Sequence, residues 1–253
     1  MDFITVHPDN LDDEDICCAN SHKKGDECAV SKKEWMKNRF AEGLVFKKLN
    51  QRGKVFIEYI PAENAWCPIT AQGYMFIDCF WVSGNFKGKG YGAALLEECI
   101  KAAKESGMKG VVALSSDRKV PFLSDPKFFK YKGFTKADSC EPYYELLYLP
   151  FDSTGKAPRF KDCVKHRELG QKGFVLYYTN HCPYTSKYVP LIESIAAQRG
   201  TEFLAIRLET KEQAQNAPAP FTTYSLFYNG EFLTNEILSE KKFIEILESK
   251  TEK

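Results

Sequence analysis

The sequence predicts an α/β (mixed α+β) chain in two consecutive domains, and three observations carry that expectation. Apolar strand-like runs alternate with amphipathic helical runs along the 253 residues. The stretch DSTGKAPRF interrupts both periodicities, with Ser153, Gly155 and Pro158 as breakers. Beyond it strand and helix signals start afresh, in an order complete enough to fold alone. The expected division is residues 1–151, a connection over 152–171, and residues 172–253.

In the first part, FITV leads through the acidic DNLDDEDI to SKKEWMKNRFAEGLVFKKL, where Trp35, Phe40 and Leu44 mark an apolar helix face. Asp12 to Asp15 are expected to decorate a helix N-terminus. Strands follow at Val55 to Ile60 and Tyr74 to Val82, read together as a meander. In WVSGNFKGKGYGAALLEECIKAA, Leu95, Leu96, Cys99, Ile100 and Ala103 recur at three- and four-residue intervals, which predicts an amphipathic helix that Gly107 stops. GVVALSS then supplies a short buried strand, and Tyr143 to Phe151 another.

After the break, a short helix is expected in KDCVKHREL. GFVLYYTNHCPYT gives a buried strand over Phe174 to Tyr178, and a helix runs on to about Ala197. TEFLAIRLET is a strand, KEQAQNAP a short helix or turn, and YSLFYNGEFLTNEI a hairpin across Asn229-Gly230. SEKKFIEILESK closes the chain as a helix. The order is β-α-β-α-β-β-α.

Thirty-five Lys plus Arg against 34 Asp plus Glu leave a formal charge of +1, so no global excess points to nucleic acid or an anionic membrane. No apolar run is long enough to span a bilayer, and no secretory signal is recognisable, so a cytoplasmic location is expected. Nine cysteines are scattered without a CxxC, and His7, His22, His166 and His181 show no ligand spacing, so no metal site is expected. Cys79 and Cys99 read as small hydrophobes.

The chemistry concentrates at the glycines. Gly88, Gly90 and Gly92 stand between the strand MFIDCFWV and the amphipathic helix, where free backbone N–H groups and the positive helix end can surround a phosphate. No Gly-Lys-Ser/Thr closes the segment, so it is not a P-loop. It resembles the pyrophosphate-binding segment of the GCN5-related N-acetyltransferase (GNAT) family, Gln/Arg-x-x-Gly-x-Gly/Ala, here Lys87-Gly88-Lys89-Gly90-Tyr91-Gly92. Lys87 stands where the family usually has Arg or Gln. The resemblance extends over roughly residues 1 to 150 and includes FFKYKGF at 128–134. It implies an acyltransferase fold with a splayed central mixed sheet that binds acetyl-CoA (coenzyme A). The pyrophosphate would lie on residues 87–92, and the pantetheine arm along Phe80, Trp81 and Val82. Direct acetyl transfer to a small-molecule or peptide amine follows, with no acyl-enzyme cysteine.

An attacking ammonium must first lose a proton. Asp78, on the strand that approaches the thioester, is the first candidate base, and Glu58 and Glu63 are second; a structural or substrate-binding carboxylate is the competing reading of Asp78. To protonate the leaving thiolate, family members often use a tyrosine four positions before the glycine of FYxKxGF. That position is Phe129 here, which cannot donate a proton. Tyr131 or water is left to do so, and aromatic packing is the alternative role for Tyr131. A coenzyme A-binding, thiol-sensing module with weakened transfer therefore remains beside the enzyme reading.

In the second part, Cys182-Pro183-Tyr184-Thr185 resembles the start of a thioredoxin-like domain, with Thr185 replacing the second redox cysteine. Thr185 would cap the helix or bond the sulfur, the helix field would lower the Cys182 thiol pKa, and a single-thiol mechanism would stay open. The alternative is a partly buried cysteine at a helix start, with His181 flanking the cap. Thr222 occupies the place where thioredoxins carry a cis-proline, and Pro220 lies two residues earlier. The pairing of the two parts resembles bacterial acetyltransferases with a YoaP-like C-terminal region.

Overall fold

In the computed structural model, which describes residues 1–16, 18, 27–165 and 170–251, the first half forms a seven-stranded mixed sheet. Its elements are β1 (Phe3–Val6), α1 (Glu27–Phe40), β2 (Val45–Leu49), β3 (Val55–Pro61), β4 (Ile69–Thr70), β5 (Tyr74–Val82), α2 (Tyr91–Glu105), β6 (Gly110–Ser116), α3 (Pro126–Tyr131), β7 (Thr135–Cys140) and β8 (Tyr144–Pro150). The strand order is β1-β2-β3-β5-β6-β8-β7, with β4 outside it. Only β5 and β6 run parallel among these neighbours, and α2 is the crossover between them.

The expected strands at Tyr74–Val82 and around Val55 match β5 and β3. The segment in which Trp35, Phe40 and Leu44 are expected on one helix face divides, because Gly43 takes a φ of 91° after α1 ends, and Val45–Leu49 continues as β2. Leu44 therefore lies beyond the helix, although it is buried with Trp35. Asp12 does not sit at an N-terminus either: its carbonyl accepts from Lys33 and its carboxylate pairs with Lys37, both on the body of α1. Strand β7 had no clear periodicity in TKADSC, where Cys140 is buried and the other residues are exposed or half-exposed.

Helix α2 buries Leu95, Leu96, Cys99 and Ala103 against β3, β5 and β6, as its spacing predicts. Each large apolar side chain so buried contributes about 1.5–3 kcal/mol. Gly107, at φ 67°, ends the helix.

The stretch after β8 holds β9 (Arg159–Phe160) and α4 (Asp162–Lys165), and β9 pairs antiparallel with β4. Phe160 and Val164 are buried in the core on the α1 face of the large sheet, so this connection is packed rather than loose. Cys17, His22, His166 and the rest of KDCVKHREL beyond Lys165 lie outside the described residues.

A second, four-stranded sheet is built from β10 (Phe174–Tyr178), β11 (Phe203–Arg207), β12 (Tyr224–Tyr228) and β13 (Glu231–Thr234), in the order β11-β10-β12-β13. Helices α5 (Thr185–Gln198) and α7 (Glu240–Thr251) pack against each other beside it, and α6 (Lys211–Gln215) follows β11. The expected order is present, and Asn229 and Gly230, at φ 48° and 81°, make the hairpin turn. The parallel pair β10–β11 next to an antiparallel hairpin is compatible with the thioredoxin-like resemblance.

The two sheets are not independent. Leu208, Ala214 and Ala217 belong to the core between α1 and the first sheet, and α1 packs on α5. Polar contacts tie the same face: Gln215 Nε2 donates to the carbonyls of Glu63 and Ala65, the Thr222 hydroxyl donates to Trp66 O, and Cys67 Sγ donates to Pro220 O.

Candidate active site

The sheet opens where β5 leaves β6. Their parallel pairing covers Tyr74–Ile77 against Gly110–Ala113 and stops there. On its other edge β5 stays paired with β3, but Glu58 opposes Cys79 while Tyr59 opposes Ile77, so Asp78 is the extra residue of a bulge. The bulge reverses the alternation of β5. Met75 and Ile77 face the α2 side before it, and Phe80 and Val82 face that side after it. Asp78 points to the opposite face, toward the second sheet, and the bulge lets Cys79 follow it there.

On the α2 side a groove of about 900 Å³ begins at the splay. One wall is Phe80, Trp81 and Val82, and its floor continues through Lys87, Gly88, Gly90, Tyr91 and Gly92 to the start of α2. The far wall is Lys119–Asp125 with Phe128, Tyr131 and Lys132. Gly88 and Gly90 have φ of 73° and 82°, left-handed values that side chains other than Gly adopt at a cost. A Cβ on Gly92 would stand 3.4 Å from the Phe80 ring and 3.5 Å from Phe128, so glycine there permits close packing. Among the described residues nothing lies within 4 Å of a Cβ built on Gly88, which leaves its backbone open to the groove. The first-turn N–H groups of a 15-residue helix thus face a cavity edged by Lys87, Lys119 and Lys132, a set that fits a pyrophosphate.

On the other face, Asp78 meets a buried polar cluster. Glu58 on β3 is fully buried, and both its oxygens accept from Lys32 Nζ of α1 at 2.8 Å. His181, from the loop after β10, brings Nε2 to 3.4 Å from Glu58 Oε1 and 3.5 Å from Asp78 Oδ2, distances of an ion pair rather than of a good hydrogen bond. Its Nδ1 lies 3.0 Å from Thr223 Oγ1, and its ring stands 4.9 Å from that of Trp35. Burial pushes the Glu58 carboxyl up, yet the adjoining Lys32 ammonium and His181 outweigh it and hold Glu58 at about 2. For Asp78 burial prevails over the attraction of His181, and its pKa is raised. A small pocket beside Asp78 is walled by Trp66, Phe76, Leu114 and the second-sheet loop Pro220–Thr223. Phe122, Leu123 and Ser124 line both this pocket and the large groove, so the two adjoin.

Residues 11–123 match the family described as Acetyltransferase (GNAT) family, and residues 202–244 the family described as YoaP-like. The chain is 42% identical over 247 residues to the N-acetyltransferase YoaP of Bacillus subtilis (strain 168), described as uncharacterized, with 98% of each chain covered. It belongs to the GNAT acetyltransferase family. Solved structures similar to it include a GNAT family acetyltransferase from Brucella melitensis in complex with acetyl-CoA, at 14% identity and a TM-score of 0.40 over 63% of this chain and 92% of that one. YhbS from Escherichia coli, a GNAT family N-acetyltransferase in complex with CoA, is similar at 14% identity and a TM-score of 0.40, over 63% of this chain and 89% of that one.

Within this GNAT chain the structure gathers most of the residues singled out in the sequence. Phe80, Trp81, Val82, Lys87, Gly88, Gly90, Tyr91 and Gly92 all line the groove, whereas Lys89 does not. Tyr131 lines it from the rim, 85% exposed. Phe129 is fully buried among Phe80, Phe128 and Phe134, so the position of the family tyrosine is spent on the core. Glu63 is no part of the site, since its Oε1 accepts from the Gly73 amide in a turn.

Two expectations about the second half are corrected. The Thr185 hydroxyl lies 2.8 Å from the carbonyls of both Thr179 and Cys182 and gives its one proton to a carbonyl, so it neither bonds the sulfur nor caps the helix. The Cys182 thiol is pushed up to about 12 by burial, the reverse of what the helix field alone would do. Thr222 is not preceded by a cis bond; among the described residues the one cis peptide is Glu141-Pro142.

Sequence reasoning missed Lys32, His181 and the Lys119–Ser124 wall. Lys32 and His181 had no local spacing to the carboxylates they meet. The wall had one available signal, the SSDRKVPFLSDP loop at the end of a buried strand.

Proposed function

We propose that the chain transfers an acetyl group directly from acetyl-CoA to a primary amine of a small molecule or peptide. The observation that carries this reading is the splay itself: a groove that starts at the unpaired edge of β5 and ends on the glycine-rich start of α2. The Gly88–Gly92 amides and Lys87 hold the pyrophosphate, and the β5 backbone beyond Ile77 pairs with the pantetheine arm. The acetyl thioester supplies the electrophile. Asp78, with its raised pKa, takes the proton of the acceptor ammonium, as a base poised nearer neutrality does efficiently. Tyr131 or water protonates the departing sulfur from the groove rim.

This reading keeps residues 1–151 as the acetyltransferase domain, 152–171 as a connection and 172–253 as a thioredoxin-like, YoaP-like domain that walls the acceptor side. A cytoplasmic setting suits an enzyme that draws on acetyl-CoA, and no helix among the described residues is long and apolar enough to cross a membrane. A thiol-disulfide enzyme centred on Cys182 is disfavoured by the half-buried thiol, whose pKa its surroundings raise.

The test is calorimetric titration with acetyl-CoA, followed by thiol-release assays over a panel of ethylamine, tyramine, spermidine, glycinamide and hydroxylamine. Binding with turnover of at least one amine is expected. Binding without turnover of any amine would favour a coenzyme A-binding module, and no binding would defeat the proposal.

A further inference from the structure

We infer that His181 is a positioning residue for the acetyl-transfer base: the second domain inserts its imidazole behind Asp78, where it holds and relays the acceptor's proton. The inference rests on the N-acetyltransferase reading above and gives the second domain a part in the chemistry.

Three observations carry it. His181 is 8% exposed, and its buried Nε2 has no well-formed hydrogen bond among the described residues, standing 3.4 Å from Glu58 Oε1 and 3.5 Å from Asp78 Oδ2. Its orientation is fixed from behind by Thr223 Oγ1 at 3.0 Å and flanked by the Trp35 ring. Asp78 occupies the bulge where the sheet opens, and its pocket adjoins the groove through Phe122–Ser124. When Nδ1–H donates to Thr223, the Nε2 lone pair faces two carboxylates. That repulsion is relieved when Nε2 takes a proton.

The charged and titratable groups facing the pair come from every surrounding element: Lys32 from α1, Glu58 from β3, Cys67 from the turn before β4, and Cys182 beside His181. Lys32 already neutralises Glu58 in a bidentate contact, so the cluster lacks one positive charge only when Asp78 is ionised and His181 neutral. The imidazolium supplies that charge.

The proton balance follows. Asp78 takes one proton from the acceptor ammonium, and the freed lone pair forms the bond to the acetyl carbon. Asp78 passes that proton to His181 Nε2 and regains its carboxylate. The second proton shed by the nitrogen leaves on the sulfur as the C–S bond breaks. His181 returns its proton to water as the product departs. One amide forms, one thioester breaks and one proton is released.

The experiment compares the wild-type chain with His181→Gln, which keeps a hydrogen-bonding amide but cannot hold the proton, and with Thr223→Val, which removes the fixing contact. Acetyl-CoA affinity reports folding. With the fastest alkylamine of the panel, His181→Gln is expected to lower kcat roughly 10- to 100-fold. It should also shift the acidic limb of the pH profile of kcat/KM. Toward hydroxylamine, which is largely unprotonated at neutral pH, the loss should be far smaller. Thr223→Val should act in the same direction and less strongly. Equal losses toward both amines, or an unmoved pH profile, would overturn the inference while leaving acetyl transfer intact. So would stoichiometric zinc that purifies with the wild type and is lost in His181→Gln. A wild type that binds acetyl-CoA and acetylates no amine would fail the underlying reading instead, and this role with it.

Discussion

His181 Nε2 lies 3.5 Å from Asp78 Oδ2, so a loop of the second sheet reaches the one residue of β5 that its bulge leaves unopposed. The contact joins two features that are far apart in the chain, beside the apolar core around Trp35 and Trp66 to which both halves contribute. Burial at this contact makes Asp78 costly to keep ionised, and His181 offsets only part of that cost.

That cost gives the first prediction. Burial raises the Asp78 pKa in the folded chain, so folding favours its protonated form. The associated stability is full at low pH and is lost as pH rises through the folded pKa. Asp78→Asn removes the buried charge, and its Tm near neutral pH should match or exceed that of the wild type. Its kcat toward an alkylamine should fall about 100-fold with acetyl-CoA affinity unchanged. A simultaneous loss of Tm would mean that Asp78 is structural.

Lys32 and Glu58 carry the opposite sign. Glu58 titrates at about 2 because Lys32 and His181 outweigh its burial, so its contribution to stability is present above the ordinary carboxylate range and is lost as pH falls toward that value. Lys32→Met strands a fully buried carboxylate and should cost about 3–5 kcal/mol at neutral pH. Denaturant melts should show the variant's deficit shrinking on mild acidification, as the stranded Glu58 takes a proton. A deficit independent of pH would rule out the charge as its cause.

The glycine loop gives a prediction on binding alone. Gly90 caps α2 at φ 82°, and an Asp there can tolerate that geometry while turning its carboxylate toward the first-turn amides. Gly90→Asp should therefore fold, yet weaken acetyl-CoA at least about tenfold by competing for those donors and repelling the pyrophosphate. Calorimetry decides; unchanged affinity would place the phosphates elsewhere.

What was legible in the sequence was whatever local periodicity or a local loop encodes. The α2 face, the β5 strand and the Asn229-Gly230 hairpin follow from spacing, and the glycines at 88, 90 and 92 from their place between strand and helix. The groove's near wall was therefore readable. The splay was implied by family resemblance alone, and the bulge at Asp78 was not readable, because it depends on the register between β3 and β5. Lys32 and His181 were hidden for the same reason: their partners are set by tertiary packing. Local reasoning also misjudged Cys182, since the field of a helix start is a local effect and the burial that overrides it is not.

The aromatic pair on α3 separates packing from chemistry. Phe129 is fully buried against the rings of Phe80, Phe128 and Phe134, so Phe129→Tyr puts the family's residue, with its hydroxyl, into an aromatic cluster. It should cost about 1–3 kcal/mol and give no gain in kcat. Tyr131→Phe, on the groove rim, should leave stability alone and lower kcat by up to about tenfold, because a thiolate leaves readily with water as its proton source. A faster Phe129→Tyr enzyme would show that this side chain reaches the sulfur after all.

Cys182 supplies the sharpest test of what the second sheet contributes. A thiol pushed up to about 12 by burial holds almost no thiolate at neutral pH, and thiolate is the form that alkylates and exchanges. Under native conditions iodoacetamide should modify Cys182 far more slowly than a free cysteine peptide, and at the peptide's rate only after unfolding. Cys182→Ser should retain acetyl transfer, because direct transfer needs no acyl-enzyme sulfur. Rapid labelling at neutral pH, together with lost activity in Cys182→Ser, would return the redox reading to first place, with His181 then serving the thiolate instead of Asp78.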